Sequence, residues 1–434
     1  MKFLTQDERI EIVDGQVNIR SIMDQHIASN QANDEPFYIF NVGDMVRKHQ
    51  NWIEKMPRVQ PFYAVKCNDN DIGLATLAAL GAGFDCASKG ELSKVLSLGV
   101  NPERIIFANP AKPNSHIHYA ANFNVKTMTF DSEIELKKIK MFCPDAKLVL
   151  RIICEAKVAQ CPLGKKFGCD PVTEAPRLIK AARKMNLDII GISFHVGSGC
   201  ADYPIYGKAI EIAKNLFDFG EKMGYKFNLL DVGGGFPGDI GTSIDEVAFY
   251  INQALDLHFP DKSVKVIGEP GRYYVSSAYT LVAKVHSKRI LYKQPDNTAN
   301  HIMYFINDGV YGSFNCILYD HQIIHPKLFN ENYKTDKTIK QFKSTIFGPT
   351  CDALDTICEI MLPELEIDDY MYFENMGAYT IPVASPFNGF PLPKIFPYIS
   401  LDLWEMLKNL FPLSDAIRMK KPIISNTYEN IVCA

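Results

Sequence analysis

PFYAVKCNDNDIGLATLAALGAGFDC, residues 61–86, changes its periodicity twice. It opens with an apolar, aromatic run that stops at Lys66, and CNDN then interrupts the run with turn-forming residues. DIGLATLAALGAG has the pattern of a short buried helix, and AGFDC returns to a strand-like run. Because two parallel strands need a crossover of this kind, the stretch predicts a parallel βα unit.

The same unit recurs along the chain. The apolar runs are PFYAVK, AGFDCA, RIIFAN, VKTMTF, KLVLRII, DIIGISFHV, FNLLDVGGG and VKVIGEP, beginning at residues 61, 82, 104, 125, 147, 188, 227 and 264. A helix-like stretch follows each of the first seven. The first five runs begin 21, 22, 21 and 22 residues apart. This regularity favours a (β/α)8 barrel of the TIM type over an open doubly wound sheet, and we place the barrel at residues 37–272.

Beyond the barrel the pattern changes to short strands without intervening helices. YTLVAKVH (279–286), HIMYFIN (301–307) and DYMYFEN (369–375) are examples. They predict a second, mostly antiparallel β-sheet domain formed by residues 1–36 and 273–434.

Composition excludes several classes of function. The 434-residue chain has 46 basic and 50 acidic residues without a basic stripe, so nucleic acid and membrane surfaces are poor partners. No apolar run approaches the roughly 18 residues of a membrane span, and the N-terminus lacks a secretory pattern, so we expect a cytoplasmic protein. Eleven cysteines without paired spacing predict neither a disulfide framework nor a metal site.

Polar residues stand at the ends of most barrel strands, where this fold places its reaction site. They are Lys66, Asp85, Arg151, His195, Gly233 to Gly235, Glu269 and Arg272. Taken singly, each has an ordinary structural explanation: a solvated lysine, half of an ion pair, or a core histidine. Their convergence on one face of the barrel favours a functional site.

The glycine-rich stretch GGGFPG, residues 233–238, formally matches a dinucleotide-binding motif. Pro237 and its position after the seventh strand fit a phosphate cradle better, with Arg272 as a planar cation for the phosphate. A cradle of this kind, the carboxylate of Glu269 and an inward Lys66 describe a pyridoxal phosphate site. A nicotinamide oxidoreductase would leave Lys66 unexplained.

The motifs resemble those of one known family. PFYAVKCND, FDCASKGEL, SFHVGSGC, LDVGGGFPG, EPGRYYV, NDGVYGSFNCILYDH, GPTCDALD and FENMGAYT are similar to stretches of the eukaryotic ornithine decarboxylases. That family belongs to the alanine-racemase-like, fold type III class of pyridoxal phosphate enzymes. The resemblance spans residues 37 to about 395, most of the chain.

The resemblance implies roles for the barrel residues. Lys66 is the Schiff-base lysine, His195 stacks on the cofactor ring, and Glu269 faces the pyridine nitrogen. The other implied cofactor-binding residues are Asp85, Arg151, Ser198, Gly233, Gly234, Gly235, Gly271, Arg272 and Tyr379, with Glu91 helping to organise the pocket. The implied reaction decarboxylates L-ornithine to putrescine and carbon dioxide, the first step of polyamine biosynthesis.

In the second domain the resemblance implies substrate-binding residues. Cys351 guides protonation of the decarboxylated carbon, and Asp320 and Asp352, with Tyr311 nearby, receive the distal amine. Cys351 and Asp352 reach the site from the other subunit of a homodimer, so each site is shared. The implied interface contacts are Asp131 with Arg289, Lys166 with Asp355, and a close approach at Gly377.

Two alternatives stay open. The chain could be an inactive binding protein similar to antizyme inhibitor, or a sister decarboxylase acting on lysine, arginine or diaminopimelate. Residues 112–135 align with the antizyme-binding surface but carry His116 and His118, so antizyme binding is left open. Residues 414–434 lack the degradation-tail composition of the vertebrate enzymes, so rapid turnover is not predicted. Residues 153–170, after the fifth strand, are a candidate lid.

Overall fold

The N-terminal part of the chain precedes the first barrel strand and contributes no strand to the barrel. A computed structural model describes residues 10–15, 18–29, 34–154, 159–161, 166–330, 333, 339–408 and 410. The first elements are β1 (Glu11–Val13), α1 (Ile19–Ser29), β2 (Phe37–Asn41) and α2 (Val42–Lys55). The side chain of Asn41 accepts a hydrogen bond from the Asp44 amide and so caps α2, which leads into the first barrel strand.

Eight parallel strands then close into a barrel, as predicted. In chain order they are β3 (Val59–Ala64), β4 (Gly83–Cys86), β5 (Ile105–Phe107), β6 (Thr127–Phe130), β7 (Lys147–Ile152), β9 (Asp188–Phe194), β11 (Leu229–Asp231) and β12 (Lys265–Gly268). Two short strands, β8 (Ala159–Cys161) and β10 (Ser198–Cys200), lie outside the barrel. All eight apolar runs identified in the sequence supply one barrel strand each. Inside the barrel Phe62, Ile106, Val149, Leu229 and Ile267 form a buried cluster.

Helices cover the outside of the barrel. They are α3 (Asp71–Ala79), α4 (Lys89–Ser97), α5 (Asn114–Asn122), α6 (Glu133–Phe142), α7 (Ala175–Lys184), α8 (Pro204–Lys222), α9 (Asp245–His258) and the short α10 (Arg272–Val275). The Asn70 side chain accepts hydrogen bonds from the amides of Ile72 and Gly73, so the CNDN turn ends in the N-cap of α3. Ser88 and Ser132 cap α4 and α6 in the same way.

The rest of the chain forms the second domain around a nine-stranded sheet. Its later elements are β13 (Tyr279–Lys293), β14 (Thr298–Ile306), α11 (Cys316–Tyr319), β15 (Lys327–Leu328), β16 (Gln341–Phe347), β17 (Thr356–Pro363), β18 (Tyr370–Phe373), β19 (Lys394–Ser400) and α12 (Leu401–Leu407). The main path runs β1-β19-β2-β13-β14-β16-β17, and β18 joins β13 to β15. Pairs β1-β19, β19-β2 and β14-β16 are parallel, and the other pairs are antiparallel.

The predicted start of the barrel at residue 37 is wrong by one strand. β2 pairs with β13, where Phe40 lies opposite Tyr279, and with β19, so it belongs to the second sheet. An apolar run such as FYIF has the same pattern in either sheet, and only its pairing partners distinguish them. The barrel strands themselves begin at Val59.

The two domains are joined at the turn that follows β3. The Tyr379 amide donates to the Cys67 carbonyl at 2.9 Å, and the Asn68 side chain donates to the Gly377 carbonyl at 2.8 Å. A Cβ at Gly377 would lie 1.8 Å from the Val275 carbonyl oxygen of the same chain. Within the described ranges, no helix has the length and apolarity needed to cross a membrane.

Candidate active site

Lys66 stands where β3 ends. A short 3-10 turn, Val65–Cys67, follows the strand and directs the side chain toward Asp85 in β4, with which the amine forms an ion pair. Burial alone would lower the pKa of Lys66, but the carboxylates of Asp85 and Glu269 outweigh it and raise the pKa. The Asp85 carboxylate in particular therefore favours the ammonium form of Lys66.

Two more carboxyl groups lie at the ends of neighbouring strands. Asp231 ends β11, Glu269 directly follows β12, and their carboxyl groups are in hydrogen-bonding contact. Burial raises the pKa of Glu269 well above its ordinary value, and Asp231 and Asp85 raise it further. Burial also raises the pKa of Asp231, to about 6. Burial and the two aspartates thus favour the protonated form of Glu269, and the charge of Lys66 opposes it; among the described residues Oε1 of Glu269 has no hydrogen-bond partner.

His195 follows β9 as a neutral imidazole. Burial lowers its pKa well below the ordinary value, and the charges of Arg151 and Lys66 lower it further. The Gly197 amide donates to Nδ1 at 3.0 Å, which places the ring proton on Nε2. A Cβ at Gly234 would lie 2.8 Å from that nitrogen, so the ring lies against the glycine loop.

The glycine loop needs its glycines for both conformation and space. Gly233 has φ +66° and Gly235 has φ +106°, in the region that L side chains rarely adopt. A Cβ at Gly233 would stand 2.1 Å from the Phe194 carbonyl oxygen, and one at Gly235 would stand 2.5 Å from the Gly197 carbonyl oxygen. The Tyr206 hydroxyl donates to the Gly234 carbonyl at 2.8 Å and fixes the loop from behind.

Arg272 begins α10 beside this loop. Its Nη2 donates to both carboxylate oxygens of Asp320, at 2.7 and 2.6 Å, and to the Ser198 hydroxyl at 3.2 Å. The guanidinium carbon lies 5.5 Å from the centre of the Tyr379 ring. In the part of the chain that the structure describes, the buried Nε has no hydrogen-bond partner. The pKa of Arg272 is raised, because Asp320 outweighs the opposing effect of burial.

These groups surround one cavity. It is lined by Ala64, Lys66, His195, Ser198, Gly235, Phe236, Glu269, Gly271, Arg272 and Tyr379. Arg151, half-buried in β7, lies outside this set but lowers the pKa of both His195 and Glu269 by its charge. Glu91 accepts the Ala87 amide at 2.6 Å, and burial raises its pKa to about 7. Most residues predicted to bind the cofactor thus meet at one place.

Comparison with known proteins identifies the family to which this chain is related. Residues 42–276 match the family model for the pyridoxal binding domain of pyridoxal-dependent decarboxylases. The chain belongs to the pyridoxal-dependent decarboxylase family. The predicted enzyme class, a pyridoxal phosphate-dependent lyase, is confirmed, and so is the predicted resemblance to ornithine decarboxylase.

Three relatives illustrate the range of this decarboxylase family. Ornithine decarboxylase of Rattus norvegicus is 46% identical over 94% of this chain and 90% of its own length. Antizyme inhibitor 2 of Xenopus laevis is 43% identical over 94% of this chain and 91% of its own length. Arginine decarboxylase of Paramecium bursaria Chlorella virus, solved with agmatine bound, is 34% identical, with a TM-score of 0.82 over 88% of this chain and 100% of that one.

The residues that line the cavity carry the chemical groups that pyridoxal phosphate requires. The unpartnered Nε of Arg272, the Ser198 hydroxyl and the close-packed glycine loop suit a phosphate group. The unpartnered Oε1 of Glu269 suits a ring nitrogen, and Lys66 supplies the amine. Among the described residues, no group of three or more His, Cys, Asp or Glu side chains could hold a metal ion.

The predicted substrate residues divide into two groups in the decarboxylase structure. Asp320 is buried behind the cavity, where it accepts hydrogen bonds from the cavity-lining Arg272. Cys351 is exposed, and the Tyr311 hydroxyl donates to the carboxylate of the partly buried Asp352. We call Tyr311, Cys351 and Asp352 the outer cluster. None of its members lines the cavity around Lys66.

The predicted interface contacts have mixed outcomes. Asp355 is buried in its own chain, where it accepts hydrogen bonds from the Val310 and Thr350 amides, so it is not presented at the surface as a pair with Lys166 requires. The close approach at Gly377 is to Val275 of the same chain. The proposed pairing of Asp131 with Arg289 stays a prediction.

Sequence reasoning missed two site residues of this decarboxylase. Asp231, in LLDVGGG, is a charged residue at the end of an apolar strand, and that signal identified Lys66 and Asp85. Gln160, in the predicted lid, donates from Nε2 to the Asp320 carbonyl oxygen. The sequence around Gln160 has no signal for this contact. Residues 155–158 and 162–165 of the lid, and residues 414–434, lie outside the described residues.

Proposed function

We propose that the protein removes the α-carboxyl group of L-ornithine as carbon dioxide, leaving putrescine, with pyridoxal phosphate as its cofactor. The observation that carries the proposal is the buried Asp320 carboxylate, which is bound by Arg272, a residue that lines the pyridoxal-type cavity. An amino acid with a second ammonium group needs a buried anion of this kind, since an unmatched buried charge is costly. The curated ornithine decarboxylases among the relatives support the same substrate.

Different residues of the chain would bind different parts of the cofactor. Arg272, Ser198 and the amides of the glycine loop hold the phosphate, and His195 packs on the ring as a neutral, flat side chain. When bound, pyridoxal phosphate supplies the electron sink that makes loss of carbon dioxide from an amino acid feasible. Lys66 supplies the amine that attaches the cofactor.

Glu269 delivers a proton to the ring nitrogen. Burial and the neighbouring Asp231 raise the pKa of Glu269, which favours its protonated form. Glu269 would hold the ring nitrogen of the cofactor in its protonated form, because the ion pair between them would be strong in a low-dielectric site. The proton therefore resides where it increases the ring's capacity to accept electrons.

The outer cluster completes the site from a second copy of the chain. Asp352 would receive the distal ammonium together with Asp320, and the Cys351 thiol would donate a proton to the carbon that has lost its carboxylate. Leu354 and Phe387, beside the outer cluster, are 68% and 41% exposed, which is typical of a surface that a partner covers. We therefore propose a homodimer with shared sites; a cytoplasmic location is the expectation from the sequence.

A competition assay tests the substrate. Purified protein with pyridoxal phosphate is given equal concentrations of L-ornithine, L-lysine and L-arginine, and the three amine products are quantified together. We expect putrescine to dominate. A dominant cadaverine or agmatine signal would assign a sister decarboxylase instead, and no product despite bound cofactor would favour an inactive binding protein.

Lys66→Ala provides the internal check on the mechanism. It should reduce carbon dioxide release by at least about a thousandfold and remove the long-wavelength absorbance of bound cofactor. Lys214→Ala, which removes an exposed ion pair with Asp218, is the matched control and should retain full turnover. Near-normal turnover by Lys66→Ala would contradict the proposed role.

A further inference from the structure

The groups that the proposed function assigns to the cofactor phosphate include two separate segments of the chain. One is the glycine loop, residues 233–238, and the other is the start of α10, where Arg272 stands. The two segments are closely packed, since a Cβ at Gly238 would lie 2.2 Å from the Arg272 carbonyl oxygen. The distance between the loop amides and the guanidinium therefore depends on the contacts that hold the two segments together.

The first half of the glycine loop is fixed by residues of the barrel and of α8. The Gly233 carbonyl accepts a hydrogen bond from the Glu269 amide at 2.6 Å, and the Gly234 carbonyl accepts one from the Tyr206 hydroxyl at 2.8 Å. These bonds lie at the start of the loop. The second half of the loop is held by a different element.

Helix α2 holds the second half of the loop. The Lys48 amine donates to the Gly238 carbonyl oxygen at 2.6 Å. The Trp52 ring packs edge-on against the Phe236 ring, with centroids 4.6 Å apart. Because Lys48 and Trp52 are four residues apart, their side chains lie on the same face of the helix. This face of α2 thus contacts the loop at two points.

The same face of α2 also contacts α10. The Tyr273 hydroxyl donates to the Lys48 main-chain oxygen at 2.7 Å, and the Lys48 amine lies 5.5 Å from the centre of the Tyr273 ring. The Trp52 and Tyr273 ring centroids are 5.4 Å apart. Tyr273 directly follows Arg272 in the chain. Lys48 therefore contacts both segments that would bind the phosphate.

We propose that Lys48 is a positioning residue for the cofactor phosphate, because it holds the end of the glycine loop against the start of α10. The inference rests on the proposed function, which places the phosphate between the loop and Arg272. The described residues that line the cavity around Lys66 do not include Lys48. Lys48 therefore acts through Gly238 and Tyr273, and not on the phosphate itself.

The surroundings of Lys48 favour its bond to the loop. Its side chain is 17% exposed, so water competes little for the amine, and a hydrogen bond from a charged donor is stronger than one between neutral groups. The nearest carboxylate oxygen, Oδ2 of Asp44, lies farther away, at 3.8 Å, and accepts the Ser277 hydroxyl at 2.6 Å. The Gly238 carbonyl is thus the closer partner of the amine.

Titration of the full-length, cofactor-free protein tests the role of Lys48. The probe is pyridoxine 5′-phosphate, which has the ring and the phosphate but no aldehyde and so forms no covalent bond with Lys66. Lys48→Met removes the donor but keeps a long side chain, and it should weaken binding of the probe about tenfold. Unchanged affinity in this variant would overturn the proposal.

Lys55→Met is the matched control. Lys55 also belongs to α2, and its substitution removes one positive charge and an exposed ion pair with Asp245. It should leave the affinity for pyridoxine 5′-phosphate unchanged, because exposed ion pairs contribute little. An equal loss of affinity in Lys55→Met and Lys48→Met would reject the bond to Gly238 as the cause.

Phosphorus NMR of the bound probe separates positioning of the phosphate from a general loss of stability. At saturating pyridoxine 5′-phosphate, Lys48→Met should shift the phosphorus resonance from its wild-type position, because the loop amides around the phosphate are displaced. Lys55→Met should leave the resonance in place. Weaker binding by Lys48→Met with an unchanged resonance would reject the proposed role.

Tyr273→Phe provides a second variant. It removes the hydroxyl that donates to Lys48 but keeps the ring, and it should weaken binding of the probe about threefold. It replaces Lys48→Met in the titration if that variant does not fold. Normal binding by Tyr273→Phe would then overturn the proposal.

Ser198→Ala distinguishes failure of this inference from failure of the proposed function. The Ser198 hydroxyl is one of the groups assigned to the phosphate, so its removal should weaken binding of pyridoxine 5′-phosphate. Weaker binding by Ser198→Ala with normal binding by Lys48→Met would leave the proposed function standing and overturn the role of Lys48. Normal binding by both variants would overturn the placement of the phosphate as well.

Discussion

The carboxyl groups of Asp231 and Glu269 lie against each other at the ends of adjacent barrel strands, and burial raises the pKa of both. We expect infrared spectra of the cofactor-free protein at pH 7 to contain a protonated carboxyl band that Glu269→Gln removes. Asp231→Asn takes away a negative charge that raises the Glu269 pKa, so the band should titrate at lower pH. Wild-type spectra without such a band would show that Glu269 is ionised.

His195 should make the folded protein sensitive to acid. Its folded-state pKa is well below the ordinary value of about 6.5, so below that pH the unfolded chain binds a proton that the folded protein does not. Stability should therefore fall as the pH drops below about 6.5. His195→Phe keeps a flat ring there without titrating.

Urea unfolding at pH 7.5 and 5.5 measures this effect. The difference in unfolding free energy between the two pH values should be about 1.4 kcal/mol smaller in His195→Phe than in the wild-type protein. Comparing the two differences cancels the contribution of the other titrating groups. The same pH dependence in both proteins would mean that His195 is not held neutral.

Gly233 and Gly241 form a matched pair for testing the glycine loop. Both have positive φ, +66° and +83°, but a Cβ at Gly233 would overlap the Phe194 carbonyl, whereas a Cβ at Gly241 meets nothing within 4 Å. Gly241→Ala should lose about 1 kcal/mol of stability through backbone strain alone. Gly233→Ala should lose about 3 kcal/mol or more, because the overlap forces the backbone to shift.

Thermal denaturation and cofactor titration of the two glycine variants provide the readouts. Gly233→Ala should also bind pyridoxine 5′-phosphate more weakly, since its shifted amides no longer match the phosphate. Gly241→Ala should bind it normally. Similar losses in both variants would mean that conformation alone, without close packing, explains the glycines.

Shared sites predict complementation between inactive variants. Lys66→Ala and Cys351→Ala homodimers should each have little activity, but a mixed dimer has one site with both residues intact. Random exchange at equal concentrations makes half of the dimers mixed, so activity should recover to about a quarter of the wild-type value. Unchanged activity after subunit exchange has been demonstrated by mass spectrometry would contradict a shared site.

The barrel could be predicted because its information is local. Each strand is an apolar run, most of these runs end in a polar residue, and Lys66 and Asp85 stand at such ends. The assignment of β2 failed because an apolar strand does not specify its partners. The roles of the glycine loop and Arg272 followed from residue type and position in the fold.

The partnerships within the site could not be predicted in the same way. Arg272 and Asp320 are 48 residues apart, and Tyr311 and Asp352 are 41 residues apart. Such contacts depend on how separate loops meet after folding. The raised pKa of Lys66 is a further example, because it reflects the balance of burial against several carboxylates from other strands.

The hydrogen bonds that join Cys67 and Asn68 to Tyr379 and Gly377 affect how the protein unfolds. Lys66 precedes a turn whose main chain and side chain are both tied to the sheet domain. Separating the domains would break these bonds beside the attachment lysine, so neither domain can melt without disturbing the other at this point. The turn after Lys66 thus connects the two domains, and we expect the barrel and the sheet to unfold together in one cooperative transition.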